Sequence, residues 1–196
     1  MKRAGQTIDK TTSRALDGYL VVAAQAGDRT AFDHLARRWQ RRLIAHAWRL
    51  TGDGEAARDA VQWSWLEIAQ GLGRLRDEQA FPAWAYRIVS RRCARFVTGR
   101  QGERALARGL ARENAVDPDP FAPAPDPEGP DEARRLHQAI AALPPGQRAA
   151  LALFHFEEMS VAEVAVALNI PAGTVKTRLM HARRSLRSVL EGDHHA

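Results

Sequence analysis

Apolar residues in the first half of the chain recur at helical spacing. The run that shows this best is Phe32, Leu35, Ala36, Trp39, Leu43, Ala47 and Leu50. Steps of three and four residues place these side chains on one face of an amphipathic helix. Glycines at 52 and 54 end this helix. The same spacing predicts a helix from Glu55 to about Gly71 and another from Phe81 to about Val97. No stretch alternates as a strand would.

The last third of the chain is also helical by this criterion. One helix extends from Asp131 to Leu143, the Pro144-Pro145-Gly146 sequence interrupts it, and a second runs from about 147 to 157. Ser160 and Glu163 then have the spacing of a capping box, which predicts a new helix start. The Asn169-Ile170-Pro171 sequence ends this helix after about two turns. Proline suits the first turn of the helix that follows.

This final helix has an apolar face and a polar face. Its apolar stripe consists of Val175, Leu179, Ala182 and Leu186. At about 100° per residue, the side chains that face away from the stripe are Lys176, Thr177, Met180, His181 and Arg184. A helix of this kind fits the major groove, where early side chains reach base edges and flanking arginines hold phosphates. A basic stretch alone would indicate only a solvated surface, but the capped short helix, turn and basic second helix together predict a helix-turn-helix that binds duplex DNA.

The segment between these helical regions has a different composition. Six of the ten prolines lie in it, at positions 118, 120, 123, 125, 127 and 130, and six acidic residues but no basic one lie from 117 to 132. Proline at this density prevents continuous helix, so we expect a linker. The predicted fold is therefore all-α, with two helical domains at 16–100 and 131–190 joined by a Pro-rich acidic linker at 101–130.

Composition narrows the classes of function. The chain has 29 Lys and Arg against 23 Asp and Glu, a formal charge of +6, which favours a polyanionic partner. The single cysteine, Cys93, excludes an internal disulfide framework. No apolar run approaches the roughly 20 residues of a membrane helix, so we expect no membrane insertion and a cytoplasmic protein. Neither metal-ligand spacing nor a nucleophile arrangement is present, so we expect no metal site, no cofactor and no enzymatic activity.

The DNA-binding module resembles region four of the extracytoplasmic-function (ECF) sigma factors. The similarity covers Leu143 to Arg187 and is most specific in the sequence PAGTVKTR at 171–178. It implies recognition of the minus-35 promoter element. On this basis the candidate minus-35 residues are Thr174, Lys176, Thr177, Arg178, Met180, His181, Arg183 and Arg184.

The first domain resembles region two of the same family. Asp59-Ala60-Val61-Gln62, followed by Trp65, is similar to the helix that docks on the polymerase clamp. The resemblance implies core binding through Asp59, Gln62 and Trp63. Without it, Asp59 and Gln62 would be read as part of a solvated helix face. The implied partner is RNA polymerase core, contacted at the clamp of the largest subunit and at the flap.

A second part of the first domain resembles the family's minus-10 helix, beginning with Phe81, Trp84 and Ile88. Holding melted DNA requires cations for the backbone and planar groups for stacking, and eight arginines against three acids lie from 74 to 104. The candidate minus-10 residues are Arg74, Arg76, Tyr86, Arg87, Arg91 and Arg92. Trp84 is aligned with Ile88 at i, i+4, which favours a core position. Arg91 and Arg95 occupy positions where the family usually has asparagine and aspartate. Either their stems lie along apolar surface with the charges in water, or this face meets DNA or a partner differently from the family.

Together these features predict an alternative sigma factor that directs promoter-specific initiation, with an anti-sigma factor as a further partner by analogy. Two alternatives remain open on the sequence. One is a helix-turn-helix regulator that acts without polymerase core, and the other is a sigma-mimicking adaptor that sequesters an anti-sigma factor. The acidic linker has two open roles as well, a plain spacer or a segment that enters the polymerase channel.

Overall fold

A computed structural model of the chain describes residues 2–107 and 131–191. Side chains are described from Thr12 to Phe96 and at most positions from Arg135 to Val189. Within these two ranges every regular element is helical, which confirms the predicted all-α class. Residues 108–130, with most of the predicted linker and its acidic residues, lie outside the described part.

Four helices form the first half: α1 Lys2–Gln25, α2 Arg29–Thr51, α3 Gly54–Gly71 and α4 Phe81–Ala107. Two short 3-10 turns, Leu72–Arg74 and Glu78–Ala80, connect α3 to α4. The three helices predicted from periodicity are present, but α4 continues to Ala107, past the position where the linker was predicted to begin. Helix α1 starts far upstream of the first predicted domain. Its Asp17 accepts hydrogen bonds from Arg38 and Trp39 on α2, and these contacts tie it to the bundle.

Local capping sets the boundaries of α2 and α3. The Asp28 carboxylate accepts from the backbone N–H groups of Thr30 and Ala31 at 2.8 and 3.1 Å, which starts α2. Gly52, with φ of +67°, ends it in the left-handed conformation. Asp53 then accepts from the Ala56 N–H at 3.0 Å and starts α3. The predicted break at 51–54 is thus one left-handed glycine followed at once by a new cap.

Aromatic side chains fill the core of the first half. Trp39 makes edge contacts with Phe81 and Tyr86, with ring centroids 5.5 and 5.8 Å apart, and all three are buried. Trp84 is half-buried and packs against this core, as its alignment with Ile88 predicted. Because rings of this size remove large apolar areas from water, they contribute much of the stability of the bundle.

Five elements form the second half: α5 Asp131–Ala142, α6 Pro145–Leu151, a π-helical turn Ala152–Phe156, α7 Val161–Leu168 and α8 Ala172–Glu191. The prediction of one regular helix from 147 to 157 is wrong in its second part. There the Glu157 N–H bonds to the Ala152 carbonyl, five residues back, at 3.2 Å. The extra residue in the turn changes the direction in which the side chains after Leu151 point.

The two halves pack against each other. Helix α7 lies along α4, and α6 contacts α2. One apolar cluster accordingly extends from Leu50, Val89 and Cys93 in the first half to Val164 and Ala167 in the second. None of the described helices is both long enough and apolar enough to span a bilayer.

Candidate nucleic-acid interface

Helices α7 and α8 form a helix-turn-helix. The predicted capping box is present: the Ser160 hydroxyl accepts from the Glu163 N–H at 3.2 Å, and the Glu163 carboxylate accepts from the Ser160 N–H at 2.7 Å. Asn169 ends α7 with φ of 54°, and the Ile170 N–H bonds back to the Ala165 carbonyl at 3.1 Å. The Pro171 carbonyl then accepts from the Val175 N–H at 3.1 Å as α8 begins. Every part of the motif therefore has its own local hydrogen bonds.

Helix α8 has the two faces that the sequence predicted. Val175, Leu179 and Ala182 are buried, and Leu186 is partly buried beside them. The opposite face is exposed and consists of Lys176, Thr177, Met180, His181 and Arg184. Side chains at i, i+4 and i+8 lie on one line along a helix, so this outward face is a continuous strip of cations and hydrogen-bonding groups around Met180.

Three further candidates on α8 lie outside this strip. Arg178 lies over Gly146 of α6, so close that a β-carbon there would lie 2.9 Å from its guanidinium carbon. The Arg183 guanidinium lies 5.6 Å from the ring centroid of Phe154, a cation–π distance. Thr174 is half-buried. The strip itself is also partly constrained, because the Thr177 hydroxyl donates to the Gly173 carbonyl at 3.1 Å.

The five arginines among the candidate minus-10 residues lie in two environments. Arg74, Arg76 and Arg87 are exposed. Arg91 and Arg92 both pair with the Glu67 carboxylate on α3, Arg92 at 3.3 Å. For Arg91 this contact is a third possibility beside those weighed from the sequence, because its charge joins α4 to α3.

Tyr86 is the candidate whose environment differs most from expectation. It is fully buried, and its hydroxyl donates to the carboxylate of Glu157 from the second half. Burial, followed by the charge of Glu157, raises the pKa of Tyr86 well above its usual value. In this arrangement its ring contacts Trp39 and His46 and has no free face on which a base could stack.

The three candidate core-binding residues lie together on α3. Asp59, Gln62 and Trp63 are exposed, with 56% of Trp63 accessible. Leu66, which the sequence reasoning missed, continues the same face and is 53% exposed. Positions 59, 62, 63 and 66 follow the i, i+3, i+4, i+7 pattern, so an apolar residue at the last position was the signal that would have identified it.

The sequence reasoning also missed the polar contacts between the halves. Glu157 accepts from Arg42 at 3.3 Å and from Arg49 at 3.1 Å, in addition to Tyr86. Arg14 of α1 pairs with Glu163 at 2.6 Å. Burial raises the pKa of Glu163, but hydrogen bonds from Ser160 and the Arg14 pair outweigh it, so the net pKa is lowered. No local pattern in the sequence indicates contacts between residues this far apart.

Other chemistry is sparse in the part of the chain that the structure describes. No group of three or more His, Cys, Asp or Glu side chains there could hold a metal ion. Cys93 is buried, and burial raises the pKa of its thiol to about 12. A thiol that stays protonated is a poor nucleophile and a poor ligand.

Both halves match families of known proteins. Residues 35–103 match "Sigma-70 region 2", and residues 133–186 match "Sigma-70, region 4". The chain is 30% identical to the RNA polymerase sigma-H factor of Pseudomonas aeruginosa, over 89% of this chain and 94% of that protein. It is 33% identical to the ECF RNA polymerase sigma factor SigM of Mycobacterium tuberculosis, over 89% of this chain and 84% of that protein. The fold is similar to that of the sigma factor RpoE from Bartonella quintana, solved in complex with the anti-sigma factor NepR, with a TM-score of 0.67 and 22% identity over 83% of this chain and 98% of that one.

Proposed function

The chain belongs to the ECF family of RNA polymerase sigma factors, and we propose that it directs initiation by binding polymerase core and two promoter elements through separate surfaces. It is an alternative sigma factor, and the polymerase supplies the catalysis. The proposed domains follow the sequence expectation of region two at 16–100, a linker at 101–130 and region four at 131–190, except that α4 extends the first domain to Ala107.

The outward strip of α8 carries the minus-35 proposal. Lys176, Thr177, Met180, His181 and Arg184 lie together on the exposed face of a second helix, behind a capped short helix and a tight turn. This geometry supports insertion of the first turns of α8 into a major groove, where their side chains would reach base edges. Arg178 and Arg183 have side chains long enough to reach flanking phosphates once they leave Gly146 and Phe154.

The minus-10 proposal rests on exposed cations in the connection between α3 and α4 and on α4 itself. Arg74, Arg76 and Arg87 supply charge for a single-stranded backbone. Arg91 and Arg92 add charge beside them but share it with Glu67. Tyr86 joins this surface only if Glu157 releases it.

Core binding is assigned to the exposed face of α3. Asp59 and Gln62 offer polar groups to a basic partner, and Trp63 and Leu66 offer apolar area beside them. Partly apolar patches with aromatic anchors are typical of protein interfaces. We propose that this patch binds the polymerase clamp. By analogy with the family, we propose that region four binds the flap. An anti-sigma factor that covers these surfaces is the regulator we expect.

Reconstituted transcription is the direct test. The purified chain, added to polymerase core on a library of genomic promoter fragments, should start transcripts that core alone does not. A helix-turn-helix regulator would bind DNA without associating with core. A sigma-mimicking adaptor would bind an anti-sigma factor and start no transcript.

The minus-35 assignment is tested by replacing Lys176 and His181 with alanine. Promoter binding should weaken, and losing the Lys176 charge should lower the slope of log affinity against log salt by about one if it contacts a phosphate. Binding to core should be unchanged. Arg37→Ala, which removes an exposed cation from α2, is the matched control and should behave as wild type. Equal loss of promoter and core binding would contradict the assignment.

The core-binding assignment is tested by Asp59→Asn combined with Gln62→Ala. Association with core should weaken, while binding of free chain to duplex DNA stays at the wild-type level. Asp33→Asn changes the same charge at an exposed position of α2 and should leave both unaffected. Unchanged association with core in the double variant would contradict the assignment and would mean that Asp59 and Gln62 are only part of a solvated helix face.

A further inference from the structure

The two halves of the chain are joined by a buried carboxylate. Glu157 follows the π-helical turn of the second half and is only 8% exposed. Its oxygens accept hydrogen bonds from three side chains of the first half: Tyr86, Arg42 and Arg49. We call these three side chains the carboxylate pocket.

The two arginines of the carboxylate pocket hold the negative charge of Glu157 and also contact aromatic rings. Arg42 lies 4.4 Å above the Trp39 ring, and Arg49 lies 4.4 Å from the ring centroid of Phe156, the neighbour of Glu157. Arg49 therefore holds both members of the Phe156–Glu157 pair. A carboxylate taken from water into such a site is stable only while its hydrogen-bond partners remain in place. All three donors belong to the first half, so Glu157 loses its hydrogen bonds to them whenever the two halves separate.

The π-helical turn is what points Glu157 inward. The extra residue at Ala152–Phe156 delays the end of the helix, and Glu158 follows with φ of 51°. Met159 is then buried, with its N–H bonded to the Leu153 carbonyl at 3.0 Å. A π-helical turn is uncommon and is often found at functional positions. Here it presents one carboxylate to the other half of the molecule.

Proposed DNA contacts from both halves also face one another in this arrangement. A cavity of about 500 Å³ between α4 and the second half is lined by Arg87 and Arg91 on one side and Arg178 on the other. The promoter elements that these arginines are proposed to contact are about 25 base pairs apart, or about 85 Å of B-DNA. Side chains that share one small cavity cannot reach both elements at once. The packed arrangement is thus incompatible with binding of a whole promoter.

We propose that Glu157 is an intramolecular latch, and that the carboxylate pocket is its receptor, holding the free chain in a closed form unable to engage both promoter elements. This inference rests on the proposed assignment of α4 and α8 to the two elements. Release of Glu157 frees Tyr86 and shifts the halves toward separation, against the apolar cluster and the Arg14–Glu163 pair that also join them. With the latch closed, the chain cannot bind both promoter elements. Binding to polymerase core would open the chain and so permit binding at both sites.

The test is the distance between the halves in Glu157→Gln. Spin labels are placed on Arg37→Cys in α2 and Val189→Cys in α8, both exposed positions, with Cys93→Ala to remove the native thiol. The labelled parent should give one short distance. Glu157→Gln should add a broad population at longer distances, with the open fraction raised about tenfold or more, because hydrogen bonds to a charged group are being lost. Glu55→Gln, an exposed glutamate on α3, should match the parent.

A chemical readout uses the two tyrosines of the chain. Tyr19 is 69% exposed and Tyr86 is buried, so nitration should modify Tyr19 rapidly in every variant. Nitration of Tyr86 should accelerate at least about tenfold in Glu157→Gln, in proportion to the open fraction. Tyr19 serves as the internal reference for reagent activity.

Three results are decisive. Unchanged distances together with unchanged Tyr86 nitration in folded Glu157→Gln overturn the latch. If circular dichroism shows that this variant is unfolded, Tyr86→Phe replaces it, since the ring is kept and one donor is removed. A distance distribution in Tyr86→Phe identical to the parent then overturns the proposal. Failure of core-dependent transcription with the distance change present would refute the proposed function, and would leave Glu157 as a contact that closes the chain without a role in promoter binding.

Discussion

Acid should destabilise this protein through one buried histidine. His46 of α2 is fully buried, with Nε2 at 2.9 Å from the Ser90 hydroxyl and its ring 4.9 Å from that of Tyr86. Within the described residues its Nδ1 has no hydrogen-bond partner. Burial, and then the positive charge of Arg49, lowers the pKa of His46 from 6.5 to about 3. The folded protein therefore holds this imidazole neutral over several pH units.

The sign and size of the effect follow from proton linkage. Between pH 6.5 and about 3 the unfolded chain binds a proton at His46 and the folded chain does not. Protons then favour unfolding, so the free energy of unfolding falls as pH falls. The stability associated with neutral His46 is complete above pH 6.5 and decreases by about 1.4 kcal/mol for each pH unit below it. From pH 7.5 to pH 5 the loss is about 2 kcal/mol from this residue alone.

Urea unfolding at a series of pH values measures this loss. The variant His46→Gln keeps a hydrogen-bonding group near Ser90 but cannot take up a proton, so its stability should fall by about 2 kcal/mol less than that of wild type between pH 7.5 and pH 5. His181→Gln, at an exposed position of α8, is the matched control for the substitution, because it leaves His46 in place. Equal losses in His46→Gln and wild type would refute the reasoning, because other titrating groups would then explain the whole effect.

Two further predictions concern helix ends. Ser160→Ala removes the acceptor for the Glu163 N–H and should lower the free energy of unfolding by about 1 kcal/mol. A thermal midpoint equal to that of wild type would show that the Ser160 hydroxyl does not stabilise the start of α7. Gly52→Ala meets no neighbouring atom but must keep φ near +67°, so it should cost about 1 kcal/mol in denaturant unfolding. A variant as stable as wild type would mean that the turn relaxes.

The sequence by itself determined the helix-turn-helix and most of the other helices, but not α1 or the π-helical turn. Periodicity located α2, α3, the start of α4 and the buried stripe of α8, and the spacing of Ser160 and Glu163 predicted the capping box. These features depend on residues a few positions apart, whose side chains and backbone groups interact within one or two turns. The family signature at 171–178 is equally local. Local patterns of this kind can be recognised in the sequence without knowledge of the tertiary structure.

Less of the candidate site could be read in this way. The outward strip of α8 and the exposed face of α3 were predictable, because the buried side of a helix defines its exposed side. The pairing of Arg91 with Glu67 was not, and neither was the burial of Tyr86. The aromatic ring at position 86 has the composition expected of a base-stacking residue, and only its neighbours distinguish the two roles.

Tertiary structure alone decided how the halves meet. Glu157 is 71 residues from Tyr86 and 115 from Arg42 along the chain, and its direction depends on a π-helical turn that no periodicity announced. Contacts at such separations are selected by the packing of whole helices, here α7 on α4, and not by any local preference. The sequence therefore indicates which surfaces are candidates for binding DNA and polymerase, whereas the fold determines that one carboxylate of the second half contacts three side chains of the first.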